Sequence, residues 1–351
     1  MKVVLGRKHK LLILPLLLLL SHAYAEKAEI IFNDKCVMSV TPIPSKPVIY
    51  MGTVNKGLYR SEDGGRSWRK IGKGIDPLAW IYSIAIDPKD NRILYVGTEG
   101  GAYKSTDGVE SWVRLDLKTT VFSIVINPLN PKIIYAGKFK SEDGGRRWDE
   151  MSNLPTLGSP AHLAIDPKRP EILYAISAAN VASSPAHTFK SVNSGEDWRK
   201  ISDDLIYQIA VDPYHTDILY ACGREGVYKS VDGGERWKLM RRGLVIPRGW
   251  FVRRILIDPI NPDVIYAGVA GVNASWIYMS EDGGESWFRL GVELEGSVNG
   301  MAISPCEPSH MVVGSSNGAW RLELPERKPY QVDPLGKLLI MWGRMKLPRG
   351  G

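Results

Sequence analysis

Three cysteines in 351 residues, Cys36, Cys222 and Cys306, are too few for a disulfide framework. Cys222, inside "ILYACG", reads as a small buried apolar residue. Cys36 would start one inner strand and Cys306 would follow another, on opposite rims, so all three are expected as free thiols. Histidine is equally scarce. Past residue 25 there are only His162, His187, His215 and His310, in no metal-ligand spacing, so neither a metal nor a cofactor is expected. No glycine run ends in Lys-Ser/Thr, which excludes a P-loop, and no nucleophile elbow is present. Beyond the first 25 residues no apolar run approaches the roughly 18 residues of a membrane-spanning helix.

Those first 25 residues read as a secretory leader. Lys2, Arg7, Lys8 and Lys10 form a basic start, "LLILPLLLLL" an apolar run, and "SHAYA" an Ala-x-Ala cleavage site after Ala25. The expected product is exported, either periplasmic or secreted, with no cysteine at the cut for a lipid. The leader carries four basic residues and no acid, so the formal +7 becomes +3 without it. The segment 327–351 is a basic tail with six basic residues and one acid, which leaves residues 26–326 near −2. The basic pI therefore comes from the two ends, and a nucleic-acid partner is not implied.

What the chain does have is repetition. "YRSEDGGRSW" (Ser61, Asp63, Trp68) returns as "YKSTDGVESW" (Ser105, Asp107, Trp112) and "FKSEDGGRRW" (Ser141, Asp143, Trp148). It returns again as "FKSVNSGEDW" (Ser191, Asn193, Trp198), "YKSVDGGERW" (Ser230, Asp232, Trp237) and "YMSEDGGESW" (Ser280, Asp282, Trp287). The serines stand 44, 36, 50, 39 and 50 residues apart, a period that points to a propeller or another repeat array. A calcium loop needs roughly 6 to 8 oxygen ligands, yet the residue after Ser varies between Glu, Thr and Val. Ser and Asp accept hydrogen bonds from nearby N–H groups and Gly supplies positive φ, so the stretch reads as a structural turn.

A second element precedes each turn, as in "SIAIDPKDNRILYVGT": an apolar run to Asp-Pro, a polar turn, then a β-branched run to Tyr. Counting two divergent versions, from Ser39 and Gly300, there are seven such units and six Ser-Asp turns. Each unit reads as four short strands. The predicted fold is all-β: a seven-bladed β-propeller of four-stranded antiparallel blades, one domain over 26–326. The first strand of each blade is apolar at consecutive positions, which predicts burial on both faces. The seventh unit lacks its turn and is expected to borrow its outer strand, from "AEIIF" first and from "LLIMW" second.

The Ser-x-Asp-x-Gly-x-Ser/Thr-Trp turns resemble the Asp-box, or BNR, repeats of sialidases, xyloglucanases, sortilin-type receptors and photosystem II assembly factors. The resemblance implies the propeller and leaves the activity open, since the boxes lie on the outer blade edge in all these families. The chain has no Phe/Tyr-Arg-Ile-Pro motif of the sialidase kind. The position matching the xyloglucanase Asp falls near Val54, with Glu99 in "TEGGAYKS" as the nearest echo. In overall plan the chain is most similar to exported single propellers of the photosystem II assembly factor type.

In this topology the Ser-Asp and Asp-Pro turns share one face, and function is expected on the variable loops opposite. From the second-strand Tyr to the turn Ser there are 11, 10, 6, 17, 10 and 14 residues in blades one to six, so blades four and six should carry extended loops. Trp80, Trp250 and Trp276 lie outside the repeat pattern. With them runs "RRGLVIPRGWFVRR", containing Arg241, Arg242, Arg248, Arg253 and Arg254. Trp and Arg are enriched at binding hot spots, so these residues are the candidate binding rim; the alternative is solvated arginines and indoles covering loop bases. Non-repeat acids (Asp76, Glu99, Asp203, Asp204, Glu225, Glu293, Glu295) show no spacing that selects a catalytic pair. The expected function is a non-catalytic scaffold recognising protein. The alternative is a glycan-binding or glycoside-hydrolase-like propeller, distinguished by whether two carboxylates converge in a pocket on the variable face.

Overall fold

The computed structural model describes residues 28–33, 36–44, 46–155, 162–177, 187–203, 206–304 and 309–325. Among them are twenty-eight strands in seven four-stranded antiparallel sheets, arranged as the blades of a propeller. Blades one to six are consecutive in sequence, their first strands beginning at Val37, Ile81, Ile124, His162, Ile206 and Phe251. Blade seven joins Val298–Ile303, His310–Ser315 and Gly318–Glu323 to the N-terminal strand Ala28–Phe32. "AEIIF" is therefore the outer strand of the last blade, with Ala28 opposite Leu322 and Phe32 opposite Ala319. "LLIMW" and Cys306 lie outside the described residues; Cys36 and Cys222 are free thiols.

The second strands are buried on both faces, more fully than most of the first strands. Ile49–Thr53, Leu94–Thr98 and Leu219–Gly223 are enclosed at every position. In Ile81–Ile86 only Ile81 and Ile84 are buried and the other four residues are half-buried, because one side of an inner strand borders the axis rather than a neighbouring blade. The cores lie between blades: Tyr50 and Leu58 of blade one pack with Ile81, Ile84 and Trp112 of blade two.

The six turns share one hydrogen-bond pattern. In the fifth, Ser230 Oγ donates to Asp232 Oδ1 at 2.9 Å and accepts the Gly234 N–H at 2.8 Å, while Asp232 Oδ1 accepts the Arg236 N–H at 3.0 Å. Four of the six turns are also tied by a tyrosine to the blade before them. The hydroxyls of Tyr95, Tyr135, Tyr174 and Tyr220 donate to the carbonyls of Gly144, Ser194, Gly233 and Gly283 in the following blade, at 3.0–3.2 Å. Lys104, Lys190 and Lys229 donate to the same glycine carbonyls. At the ring closure His310 of blade seven takes this part, with Nε2 on the carbonyl of Gly64.

Blade six departs from the expected extended loop. Its strands lengthen instead, Ala274–Ser280 to seven residues and Phe288–Glu295 to eight, and a short turn closes the hairpin with Gly271 N–H on Ala274 O. The result is a raised hairpin whose tip residue Val272 is 85% exposed. Most of the blade-four loop, residues 178–186, lies outside the described residues.

Candidate site at the axial cavity

The inner strands place one residue each around the axis at the same level: Ser39, Ser83, Ser123, His162, Gln208, Arg254 and Gly300. The register fixes this, since Ser39, Ser83, Gln208, Arg254 and Gly300 face Gly52, Gly97, Cys222, Gly268 and Gly314 on the second strands. At Gly97 a Cβ would stand 2.4 Å from the Val121 carbonyl, so the blades approach closely at this level. In five blades the ladder shifts by one residue here, and such bulges re-aim side chains.

The belt bonds six of the seven blades to the next. Ser39 Oγ donates to the Ile81 carbonyl at 3.3 Å, and Ser123 Oγ accepts the Leu163 N–H at 3.1 Å. His162 Nε2 donates to the Ile209 carbonyl at 2.9 Å, and Gln208 Oε1 accepts the Ile255 N–H at 3.1 Å. Arg254 Nε donates to the Asn299 carbonyl, and Asn299 Nδ2 donates to the Val37 carbonyl at 3.0 Å, completing the circuit into blade one. The belt is interrupted at Ser83, whose enclosed Oγ has no partner among the described residues. Burial, and then the charge of Arg254, push the His162 pKa down to about 4, so the imidazole is neutral at pH 7.

Inside the belt lies a cavity of about 350 Å³. Its wall is aromatic on one side, where Tyr82 and Phe122 pack at 4.8 Å with Trp80 edge-on to Tyr82. On the other side stand Tyr207, 5.0 Å from Phe251, and Arg254. Burial lowers the Arg254 pKa to about 10, which keeps it charged. No Asp or Glu is among the described residues lining the cavity.

The candidate rim residues separate into four places. Trp250 and Trp276 meet at 4.7 Å on blade six, where Arg289 covers the Trp276 ring and Glu293 accepts its indole N–H. Trp80, 41% exposed, sits across the ring on blade two, its backbone N–H on Glu99 and its indole N–H on Asn55. Arg241, Arg242 and Arg248 are exposed on the loop between blades five and six. The Arg242 carbonyl accepts the Trp287 N–H at the head of the outer strand of blade six, away from the axis. Arg253 is half-buried at the axial end of its strand, where Cys36 and Tyr207 feel its charge. Of the acids, Asp76 caps the Leu78 N–H and Asp203 bonds Lys200 and His187, while Asp204 lies outside the described residues. Sequence reasoning missed the belt, because a set of Ser, His, Gln, Arg and Gly shares position but no residue type.

No family model matches the chain. Among curated proteins it is 23% identical over 337 residues to the oligoxyloglucan-reducing end-specific xyloglucanase of Emericella nidulans, covering 76% of this chain and 41% of that protein. It is 25% identical over 266 residues to xyloglucanase Xgh74A of Acetivibrio thermocellus, covering 66% and 28%. The chain thus spans less than half the length of these relatives. Among solved structures, a GH74 xyloglucanase from Xanthomonas campestris superposes with a TM-score of 0.69 at 16% identity, over 84% of this chain and 53% of that one. YCF48 bound to D1 peptide superposes with 0.64 at 15% identity, over 86% and 97%. At these identities the likeness establishes the seven-bladed propeller fold.

Proposed function

We propose that this chain is a non-catalytic binding propeller that recognises a protein partner through the face opposite the Ser-Asp turns, outside the cytoplasm. The observation that carries this reading is the axial cavity: aromatic groups and the Arg254 guanidinium converge on it, and no carboxylate lines it among the described residues. Glycoside hydrolysis by the usual route needs two carboxyl groups roughly 5 to 10 Å apart across the bond cleaved. The Trp250–Trp276 stack and the raised blade-six hairpin give the same face further apolar contact area. A structural neighbour of matching length is a peptide-bound propeller, which accords with this use of the fold. No described helix is long and apolar enough to cross a membrane, and the leader-like pattern of the first 25 residues supports the export reading.

The test is capture of a partner from the native envelope by the full chain, repeated with Trp250→Ala and Trp276→Ala. An anchor tryptophan changed to Ala typically weakens binding by about 2 kcal/mol or more. Normal capture by both variants, with lowered melting points, would make those rings core and sink their role as anchors.

A second reading, glycan binding or glycoside hydrolysis, is favoured by the curated relatives, which are xyloglucanases. Trp80 beside Glu99 is the place where a sugar ring and a carboxylate would meet. Release of reducing ends from xyloglucan, abolished by Glu99→Gln, would replace the first reading with this one.

A further inference from the structure

The axial cavity holds positive charge that nothing on the described protein answers. Arg254 donates from Nε to the Asn299 carbonyl and from Nη1 to the Arg253 carbonyl at 3.0 Å, two of the five N–H donors of a guanidinium, both spent on neutral oxygens. Arg253 is not among the lining residues but lies beside the cavity, its charge felt by the lining residue Tyr207; it is half-buried, and its enclosed Nε has no hydrogen-bond partner among the described residues. The neighbouring titratable groups carry no balancing negative charge. Burial first of all pushes the Cys36 thiol and the Tyr207 hydroxyl up, and the Cys222 thiol up to about 12, so all three are neutral at pH 7. Arg224 adds a further positive charge near Tyr207. Cations taken out of water are ordinarily paired, because an uncompensated buried charge is strongly unfavourable.

We propose that the cavity is an anion site, in which a carboxylate entering from the face opposite the turns pairs with Arg253 and Arg254. A guanidinium fork matches a planar carboxylate with two parallel hydrogen bonds. A cavity of about 350 Å³ is near the lower end of ligand pockets, suited to one charged group on a short stem rather than to a glycan chain. The Tyr82–Phe122 pair and Tyr207 offer an apolar wall for that stem. Two sources share this chemistry, the chain end of a partner protein and a free small acid. The first of them rests on the protein-recognition reading.

The experiment titrates the full chain by calorimetry at constant ionic strength with two probes. One is succinate. The other is acetyl-tetra-alanine with a free carboxylate, set against its amide. The expected result is saturable binding of at least one carboxylate probe, none of the amide, and at least tenfold weaker binding in Arg253→Gln, a side chain that makes no hydrogen bond among the described residues. Arg254→Lys keeps the charge but not the fork and should weaken binding as well. Succinate alone binding assigns a small acid; the peptide alone assigns a chain end. Absence of saturation with both probes, or wild-type affinity in both variants, overturns the site. The two readings separate cleanly. Capture of a partner that Arg253→Gln leaves unchanged, with neither probe bound, discards the anion site and keeps protein recognition. Bound probes with no captured partner do the reverse.

Discussion

The hydroxyl of Tyr220 donates to the carbonyl of Gly283, 3.0 Å away and one blade further on. Lys229 Nζ reaches the same oxygen at 2.9 Å and lies over the Tyr220 ring. Because the carbonyl has two donors, losing one leaves it bonded. Tyr220→Phe should therefore cost about 0.5–1.5 kcal/mol, the net worth of one hydrogen bond. Adding Lys229→Met strips the carbonyl bare and should cost more than the two single changes together. Denaturant melts of the four proteins check this, and simple additivity would show that the two donors do not share one acceptor.

Acid should weaken the ring in two separate windows. His162 is held neutral in the fold with its pKa pushed to about 4 from the ordinary 6.5. The unfolded chain therefore binds its proton first, and stability is lost as pH falls from 6.5 toward 4. The turn carboxylates act lower. Burial alone would raise Asp63, but hydrogen bonds from Ser67 and Ser61 hold it at about 2, and the Arg236 guanidinium does the same for Asp232. Their contribution is complete above 3.8 and disappears as pH falls toward 2. His162→Gln should flatten the upper window, and Asp63→Asn with Asp232→Asn the lower. Asn193 already serves in the fourth turn, accepting the Asp197 N–H at 2.9 Å. Thermal melts at half-unit pH steps would decide, and unchanged slopes in the variants would assign both windows to other groups.

One turn carries backbone strain. Val109, 3% exposed, adopts φ 77°, a left-handed conformation held by glycine at the matching place in the other five turns. That conformation costs a non-glycine residue about 1–2 kcal/mol, against about 1.5–3 kcal/mol for burying its side chain. Val109→Gly should therefore cost no more than about 2 kcal/mol. Gly234→Val should be far worse, because a Cβ there would meet Ile201 at 2.9 Å. Equal losses at the two sites would contradict this balance.

Deleting Glu29–Phe32 should lower the melting point by roughly 5 °C or more, because it bares the edge of blade seven opposite Trp320 and Arg321. Cutting the chain at Lys337 should be milder. The reverse order would mean that the borrowed strand adds little to the closed ring.

The repeat, the blade number and the borrowed strand were all legible because they are periodic or break a period: Ser, Asp and Trp recur, and the seventh unit visibly lacks its turn. The blade-to-blade ties were half legible. Tyr recurs at this place in six blades where Phe would fill the same volume, and at Tyr95, Tyr135, Tyr174 and Tyr220 the hydroxyl is in use. The cavity was not legible. Arg254 was found among a run of five arginines that the fold then scatters, and nothing in "GWFVRR" tells the two axial guanidinia from the exposed Arg241, Arg242 and Arg248. Length also misled. Fourteen residues between Tyr266 and Ser280 can make a loop or a longer hairpin, and only the pairing of Trp276 with Val269 and Glu293 separates the two.

The strand that closes blade seven is the first of the twenty-eight and its partner is the last. Chains are made from the N-terminus at about 5 to 20 residues per second, so Ala28–Phe32 emerges on the order of 15 to 60 s before Leu322 does. For that interval six blades can form in order while Ile30, Ile31 and Phe32 have no sheet to join. The ring is thus timed by its own connectivity. Completion waits for the final hairpin, and an apolar leading end must stay unpaired, or be held by something else, until it arrives.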